Sequence, residues 1–101
     1  MLTGKQKRFL RALGHNLKPV IQIGKKELDE EGLLAETEAA LAHHELIKVK
    51  LLESCLLDRR EAADELAAAC GAEVAQLLGR TFLLYRRAEQ PKLALPSSQE
   101  A

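Results

Sequence analysis

Aromatic residues are scarce in this chain of 101 residues, which has no tryptophan, two phenylalanines and one tyrosine. Proteins that hold single-stranded nucleic acid by base stacking need exposed aromatic platforms. Tyr85 is the main candidate for such a platform, and its position in a predicted strand favours packing in a sheet instead. If the partner is a nucleic acid, the composition therefore favours recognition of its backbone and shape over stacking on its bases.

Long apolar runs are also missing. The longest run, residues 66–70, is far shorter than the ~20 residues of a membrane-spanning helix. A secretory signal needs an apolar stretch of ~7–15 residues near the N-terminus, and basic residues interrupt every such stretch here. A mitochondrial transit peptide would also be basic and free of acids, but Pro19 and the strand-like run after it continue into a folded pattern. We therefore expect a cytoplasmic protein that does not bind a membrane.

Cysteine is limited to Cys55 and Cys70, whose spacing fits neither a zinc site nor a CxxC redox motif. We expect both to be reduced, packed thiols. His43 and His44 are adjacent, so on a helix their side chains point about 100° apart and cannot easily share a metal ion. The motifs GxSxG, HExxH, GxxxxGK[ST] and CxxC do not occur, so the sequence gives no evidence for catalysis and implies no cofactor.

The net charge is zero, with 15 basic and 15 acidic side chains, whereas a nucleic-acid-binding domain usually has a pI above ~9. The zero net charge is the sum over two neighbouring blocks of opposite charge. Residues 1–26 contain seven basic side chains and no acid, and residues 27–45 contain seven acids and no base. A chain of this length forms one domain. Function therefore depends on whether folding keeps the two blocks apart.

Periodicity and turn residues predict the order α-β-α-β-α-β-β. Strands joined through helices favour parallel pairing, and a terminal hairpin must be antiparallel. We therefore predict the α/β class, as a compact sandwich with a mixed four-stranded sheet. Residues 1–88 would form the domain, and residues 89–101 an extended or disordered tail. The predicted elements are a helix from the Thr3/Gln6 capping box to Pro19, strand 20–23, helix 28–44, strand 47–51, helix 59–70 between Asp58 and Gly71, and strands 74–78 and 81–87 around a Gly79-Arg80 type II′ turn.

The first helix is predicted to have one apolar and one cationic side. Its apolar side consists of Phe9, Leu10, Leu13 and Leu17, and its cationic side of Lys7, Arg11 and Lys18, flanked by Arg8 and His15. A solvated helix face usually mixes charges of both signs, but this one contains no acid to offset its self-repulsion. An anionic partner would supply that compensation.

Gly24-Lys25-Lys26 falls between a predicted strand and a predicted helix. Glycine allows close approach of the backbone to a ligand, and a helix N-terminus presents free N–H groups to phosphate. The acids that follow, Asp29 and Glu30, would repel phosphate, and we interpret them as helix-start residues. The turn is a weak signal by itself, because exposed lysines are common in such turns.

Several segments together resemble the YhbY-like CRM domain, the chloroplast RNA splicing and ribosome maturation module. They are KQKRFLRALGH, LKPV, LLAETEAALAHHELIKVK and GRTFLLYRR, and the resemblance covers residues 2–96. It implies a fold similar to the C-terminal domain of bacterial translation initiation factor three. It also implies a stand-alone RNA-binding protein that acts on precursors of the large ribosomal subunit. The family's GxxG loop, which resembles that of KH domains, is altered here because Glu27 occupies the position of its second glycine.

We therefore predict a monomeric protein that binds structured rRNA on pre-large-subunit ribosomal particles. The alternative is a protein-interaction module whose opposed charge blocks recognise charged protein partners. The residues expected to contact RNA are Lys5, Lys7, Arg8, Arg11, His15, Lys18, Gly24, Lys25, Lys26, Lys48, Lys50, Arg86 and Arg87.

Overall fold

A computed structural model of the protein describes residues 2–24, 31–55, 57–91 and 93–96. Within these residues, three helices and four strands follow one another in the order predicted, which confirms the fold class. The elements are α1 (Gly4–Gly14), β1 (Pro19–Ile23), α2 (Glu31–His44), β2 (Leu46–Leu51), α3 (Arg59–Cys70), β3 (Glu73–Leu78) and β4 (Thr81–Tyr85). The predicted start of the second helix at residue 28 lies outside the described residues.

The sheet is mixed, as predicted, with the strand order β1-β2-β4-β3. β1 pairs with β2 in parallel, because the α2 crossover returns the chain to the same end of the sheet. β4 pairs antiparallel with both β2 and β3. The β3–β4 hairpin closes through Gly79-Arg80, and Gly79 has the positive φ of 58° that the first position of a type II′ turn requires.

The helix ends follow local capping signals. Thr3 Oγ1 accepts a hydrogen bond from the Gln6 N–H at 3.1 Å, and Gln6 Oε1 accepts one from the Thr3 N–H at 3.0 Å, which confirms the capping box of α1. Asp58 caps α3, and Gly71 ends it with a left-handed φ of 64°. The predicted limits of the third helix are therefore confirmed at both ends.

Two hydrophobic cores lie on opposite faces of the sheet in the described part of the chain. One core contains Ile47 and Val49 of β2 together with residues of α2 and α3. The other contains Leu46 of β2 and Leu10 of α1. Because alternate residues of a strand point to opposite faces, α1 covers one face and α2 and α3 cover the other. The predicted alternation of β2 is confirmed, since Lys48 and Lys50 are more exposed than their neighbours.

The predicted apolar side of α1 is only partly buried, because the Leu13 and Leu17 side chains are 39% and 37% exposed. The contact of α1 with the sheet runs instead along Leu10 and Gly14, which are buried. A Cβ atom on Gly14 would lie 2.4 Å from Leu83 Cδ1, so the helix backbone approaches β4 closely at this point. The helix also ends here, before the predicted limit at Pro19. This close approach rotates Leu13 to the edge of the contact.

Replacing Gly14 by alanine should lower the free energy of unfolding by about 1–3 kcal/mol, because the added methyl group overlaps the buried Leu83 side chain. Urea denaturation measures the change. Gly32→Ala is a matched control, since no atom lies within 4 Å of a Cβ at this exposed position of α2. Alanine should be neutral or favourable there. Equal losses of stability in the two variants would contradict the close packing of α1.

The described part of the tail has no helix or strand, but it lies against α1. Leu93 and Leu95 pack on the core that contains Leu10, and Gln6 Nε2 donates a hydrogen bond to the Pro96 carbonyl oxygen at 3.0 Å. The predicted division of the chain at residue 88 stays a prediction. These contacts make the ordered tail residues part of the layer on the α1 face.

Both cysteines are free and buried, as expected for packed thiols. Burial also raises the pKa of the Cys70 thiol, and the nearby Glu38 carboxylate adds to this effect. A raised pKa keeps the thiol protonated and therefore weakly nucleophilic. Across the described ranges, no helix is both long enough and apolar enough to cross a membrane.

Candidate nucleic-acid interface

Among the described residues, the basic helix α1 and the exposed acids of α2 lie on opposite faces of the sheet. α1 belongs to the basic block, and residues 2–24 contain no acid. The exposed acids of α2, Glu36 and Glu38, belong to the layer on the other face. The fold therefore keeps the basic side chains of α1 away from the exposed acids of α2.

Three of the residues predicted to contact RNA meet on this face. Arg11 and His15 at the end of α1, and Lys48 in β2, line one cleft of about 70 Å³. Gln76 of β3 and Thr81 of β4 also line it. α1 covers only part of the sheet, so the cleft opens where the helix stops and the strands continue. The rest of its lining is apolar and consists of Leu78, Phe82 and Leu83. The positive charge and the hydrogen-bonding groups at the cleft suit a phosphate backbone.

Further cations extend this cluster. Arg8 and Arg11 lie on the same side of α1, three residues apart. Lys50 follows Lys48 on the same face of β2 and pairs with Thr81. Lys18 and Lys48 line a neighbouring hollow. We call this set the cationic face, and its members are Arg8, Arg11, His15, Lys18, Lys48 and Lys50.

The neighbouring hollow is apolar and has a volume of about 370 Å³. It lies between the end of α1, the starts of β1 and β2, and the tail. Its lining consists of Leu13, Leu17, Val20, Leu46, Ile47 and Leu93, with Lys18, His44 and Lys48 among them. We call it the apolar hollow. The sequence predicted Leu13 and Leu17 as core residues and therefore gave no indication of it.

Lys5 and Lys7 lie outside the cationic face. Lys7 is exposed and borders a wide groove along β3 whose lining includes the acids Asp64 and Glu73. Lys5 is partly buried in the first turn of α1. The surroundings of Lys7, which lies one turn before Arg11 on α1, therefore contain charges of both signs.

Arg86 also stands apart from it. Arg86 Nη1 forms an ion pair with Glu38 Oε2 at 2.8 Å and donates a hydrogen bond to the Cys70 carbonyl oxygen at 2.9 Å. These contacts tie β4 to α2 and α3 on the other side of the sheet. Arg87 is exposed just beyond the end of β4. The structure therefore gives Arg86 a structural role in joining the layers.

Gly24 is partly buried at the end of β1, where a Cβ atom would lie 3.1 Å from Ser54 Oγ. The Leu52 N–H donates to the Ile23 carbonyl oxygen at 2.8 Å, which ties this end of β1 to the segment after β2. Lys25 and Lys26, together with Glu27 at the altered loop position, lie outside the described residues.

Tyr85 is only 5% exposed and belongs to the core beneath α1, which confirms its predicted packing role. Burial raises the pKa of its phenol, and the nearby Glu45 carboxylate raises it further. Tyr85 therefore offers no exposed ring on which a base could stack.

Glu45 has a structural role that the sequence did not indicate. It is fully buried and has a left-handed φ of 64°, at the junction of α2 and β2. Its carboxylate accepts hydrogen bonds from the Ala88 N–H at 3.3 Å and the Leu93 N–H at 3.0 Å. Glu45 therefore fixes the tail beside the apolar hollow. In the sequence it belongs to the acidic block and to one of the segments that carry the family resemblance, and neither pattern indicates a partner in the tail.

The chain is similar to proteins of one family over most of its length. The sequence pattern described as the CRS1 / YhbY (CRM) domain matches residues 2–86. The "Probable RNA-binding protein YqeI" of Bacillus subtilis is 38% identical over 92 residues, which are 91% of this chain and 95% of that protein. An "RNA-binding protein" of Haemophilus influenzae is 41% identical over 95 residues, which are 94% of this chain and 95% of that protein.

The fold is also similar to a solved one. The solution structure of the hypothetical protein SAV1595 from Staphylococcus aureus aligns with a TM-score of 0.79 and 39% sequence identity. The alignment covers 95% of this chain and 100% of that one. The similarity therefore extends over nearly the whole fold.

Proposed function

The chain belongs to the CRS1 / YhbY (CRM) domain family, and from that membership we propose that it is an RNA-binding protein whose cationic face contacts the RNA backbone. The relatives named as RNA-binding proteins support this proposal, since they match nearly the whole chain. No catalytic step or cofactor is part of it.

One observation carries the proposal: the helix α1, which contains four basic side chains and no acid, lies on the opposite face of the sheet from the exposed acids of α2. A chain without net charge can bind a polyanion if its positive charge is concentrated on one surface. The cationic face provides such a surface, and its lysines and arginines are the side chains that most often contact phosphate. Charge pairing with a protein partner is the competing explanation.

The finer proposal is that the RNA is structured rRNA on precursors of the large ribosomal subunit, bound by a monomer in the cytoplasm. It rests on the resemblance of the motifs around Lys18 and Lys48 to the ribosome maturation module. Lys25 and Lys26 would add phosphate contacts at the turn after β1. The buried Tyr85 and the general scarcity of aromatic residues favour backbone and shape recognition of a folded RNA.

Sedimentation of the tagged protein from cell lysate tests this assignment. We expect the protein to sediment with precursors of the large subunit and to dissociate from them when the salt concentration is raised. Contacts to phosphate release counterions, so the affinity of the protein for RNA falls as the salt concentration increases. Ribonuclease treatment of the lysate should move the protein to the top of the gradient. Protein that stays at the top without treatment, or that stays on the particles after their RNA is digested, would contradict the proposal.

A further inference from the structure

The apolar hollow is a surface that the proposed phosphate contacts do not explain. Leu13, Leu17 and Val20 are 39%, 37% and 47% exposed, and they lie together around it. Scattered exposed leucines are ordinary, but a contiguous apolar patch on a small protein usually marks an interaction site. Lys48 lines both the hollow and the cleft of the cationic face. A ligand bound along that face would therefore lie next to the opening of the hollow.

The walls of the hollow belong to fixed elements. Leu46 and Ile47 are buried residues of β2, and Val20 is part of β1. Leu93 comes from the tail, but its N–H is held by Glu45 Oε1 at 3.0 Å. The volume of about 370 Å³ lies within the range of small-ligand sites. The hollow is therefore preformed and large enough for a flat ring system.

The charges around the hollow indicate the chemistry of its occupant. Lys18 and Lys48 line it together with His44, and the nearby acid, Glu45, is fully buried with its oxygens facing the tail amides. Such a site, which is apolar inside and cationic at its rim, fits a ligand with a flat apolar part and negatively charged groups attached next to it. An unpaired nucleotide has this character, since its base has two apolar faces and its phosphates flank it.

We propose that the apolar hollow takes one unpaired base of the bound RNA, while Lys18 and Lys48 contact the adjacent phosphates. This inference rests on the proposed RNA-binding function and deepens it. The hollow is lined mainly by apolar side chains, so the base is held by contact area and not by hydrogen bonds to its edges. The protein should therefore select RNA that contains a bulged or looped-out base, with little preference for its identity and a modest preference for purines.

Two hairpin RNAs test the proposal, one fully paired and one that carries a single bulged 2-aminopurine. The chain has no tryptophan and one tyrosine, so the fluorescence of the probe is read without interference. We expect the wild-type protein to bind the bulged hairpin about tenfold more tightly than the paired one, because the hollow removes part of the apolar surface of the base from water. Binding should also protect the bulged 2-aminopurine from quenching by acrylamide.

The double variant Leu17→Asn, Val20→Thr makes the wall of the hollow polar at two exposed positions while the charge and the strand propensity of β1 are kept. It should bind both hairpins equally, at the affinity of the wild type for the paired one, and should no longer protect the probe. The matched control Leu17→Met, Val20→Ile keeps the apolar character and should behave as the wild type. Urea denaturation verifies that both variants are folded.

Equal affinity of the wild type for the two hairpins, or retained selection and protection in the polar variant, would overturn the inference and leave RNA binding intact. No binding of either hairpin at low salt would overturn it together with the proposed function. The wild type could also self-associate, and the polar variant could abolish that association. This result would assign the hollow to a second copy of the chain and would also overturn the inference.

Discussion

Exchange of Arg11 and Lys48 for glutamine should weaken RNA binding by about a hundredfold at ~50 mM salt, because each phosphate contact contributes about tenfold through counterion release. These two side chains come from different elements and line the same cleft, so both would face one stretch of the RNA backbone. Glutamine keeps much of the length of each side chain and removes only the charge. The slope of log affinity against log salt concentration should become shallower by about 1.5.

The double variant Arg59→Gln, Arg60→Gln is the matched control. It removes the same charge from the first turn of α3, and both side chains are exposed. Arg59 Nη1 donates a hydrogen bond to the Gly79 carbonyl oxygen at 2.9 Å, so urea denaturation must verify that the control is folded. Fluorescence anisotropy with one structured rRNA fragment should give near wild-type affinity and slope for this control. Equal losses in the two double variants would mean that total charge, and not the cationic face, determines binding.

The second large effect concerns stability. Replacing Glu45 by alanine should lower the free energy of unfolding by about 2–4 kcal/mol, because hydrogen bonds to a charged group are among the stronger ones and two tail amides lose their acceptor. Freed from Glu45, the segment with Leu93 should separate from α1. Urea denaturation measures the loss of stability, and hydrogen exchange at the Leu93 amide should report the release of the tail.

Glu45→Gly distinguishes the carboxylate from the backbone conformation. Glycine adopts the φ of 64° without strain, and a side chain at this φ costs roughly 1–2 kcal/mol. The glycine variant should therefore be more stable than the alanine variant and still lose the protection of the Leu93 amide. An alanine variant as stable as the wild type, with that amide protected, would show that Glu45 does not anchor the tail.

The elements with local signals were predictable from the sequence. α3 begins after the Asp58 cap and ends at Gly71, and both signals lie within one turn of the residues they control. The alternation of β2 identified Lys48 and Lys50 as side chains on the opposite face from Val49. Such predictions succeed because the interactions that determine these structures are made between residues close together in the sequence.

The parts that depended on distant contacts were not predictable. Periodicity placed Leu13 on the packing side of α1, but the contact between Gly14 and Leu83 turned it outward. Arg86 was predicted to contact RNA, but in the fold its guanidinium group forms an ion pair with Glu38, which is 48 residues away in the sequence. Glu45 had no partner in the sequence pattern, since the amides that it binds lie more than forty residues further along the chain. The cleft and the apolar hollow are products of these contacts.

Titration of the isotopically labelled protein with a structured rRNA fragment, followed by NMR, tests the central claim most directly. RNA bound to the cationic face should shift the amide signals of Arg11, His15, Lys48 and Thr81, which come from three elements and line one cleft. The signals of Glu36 and Glu38 on the opposite layer should stay in place. Shifts confined to α2 and α3, or no shifts at low salt, would contradict the account.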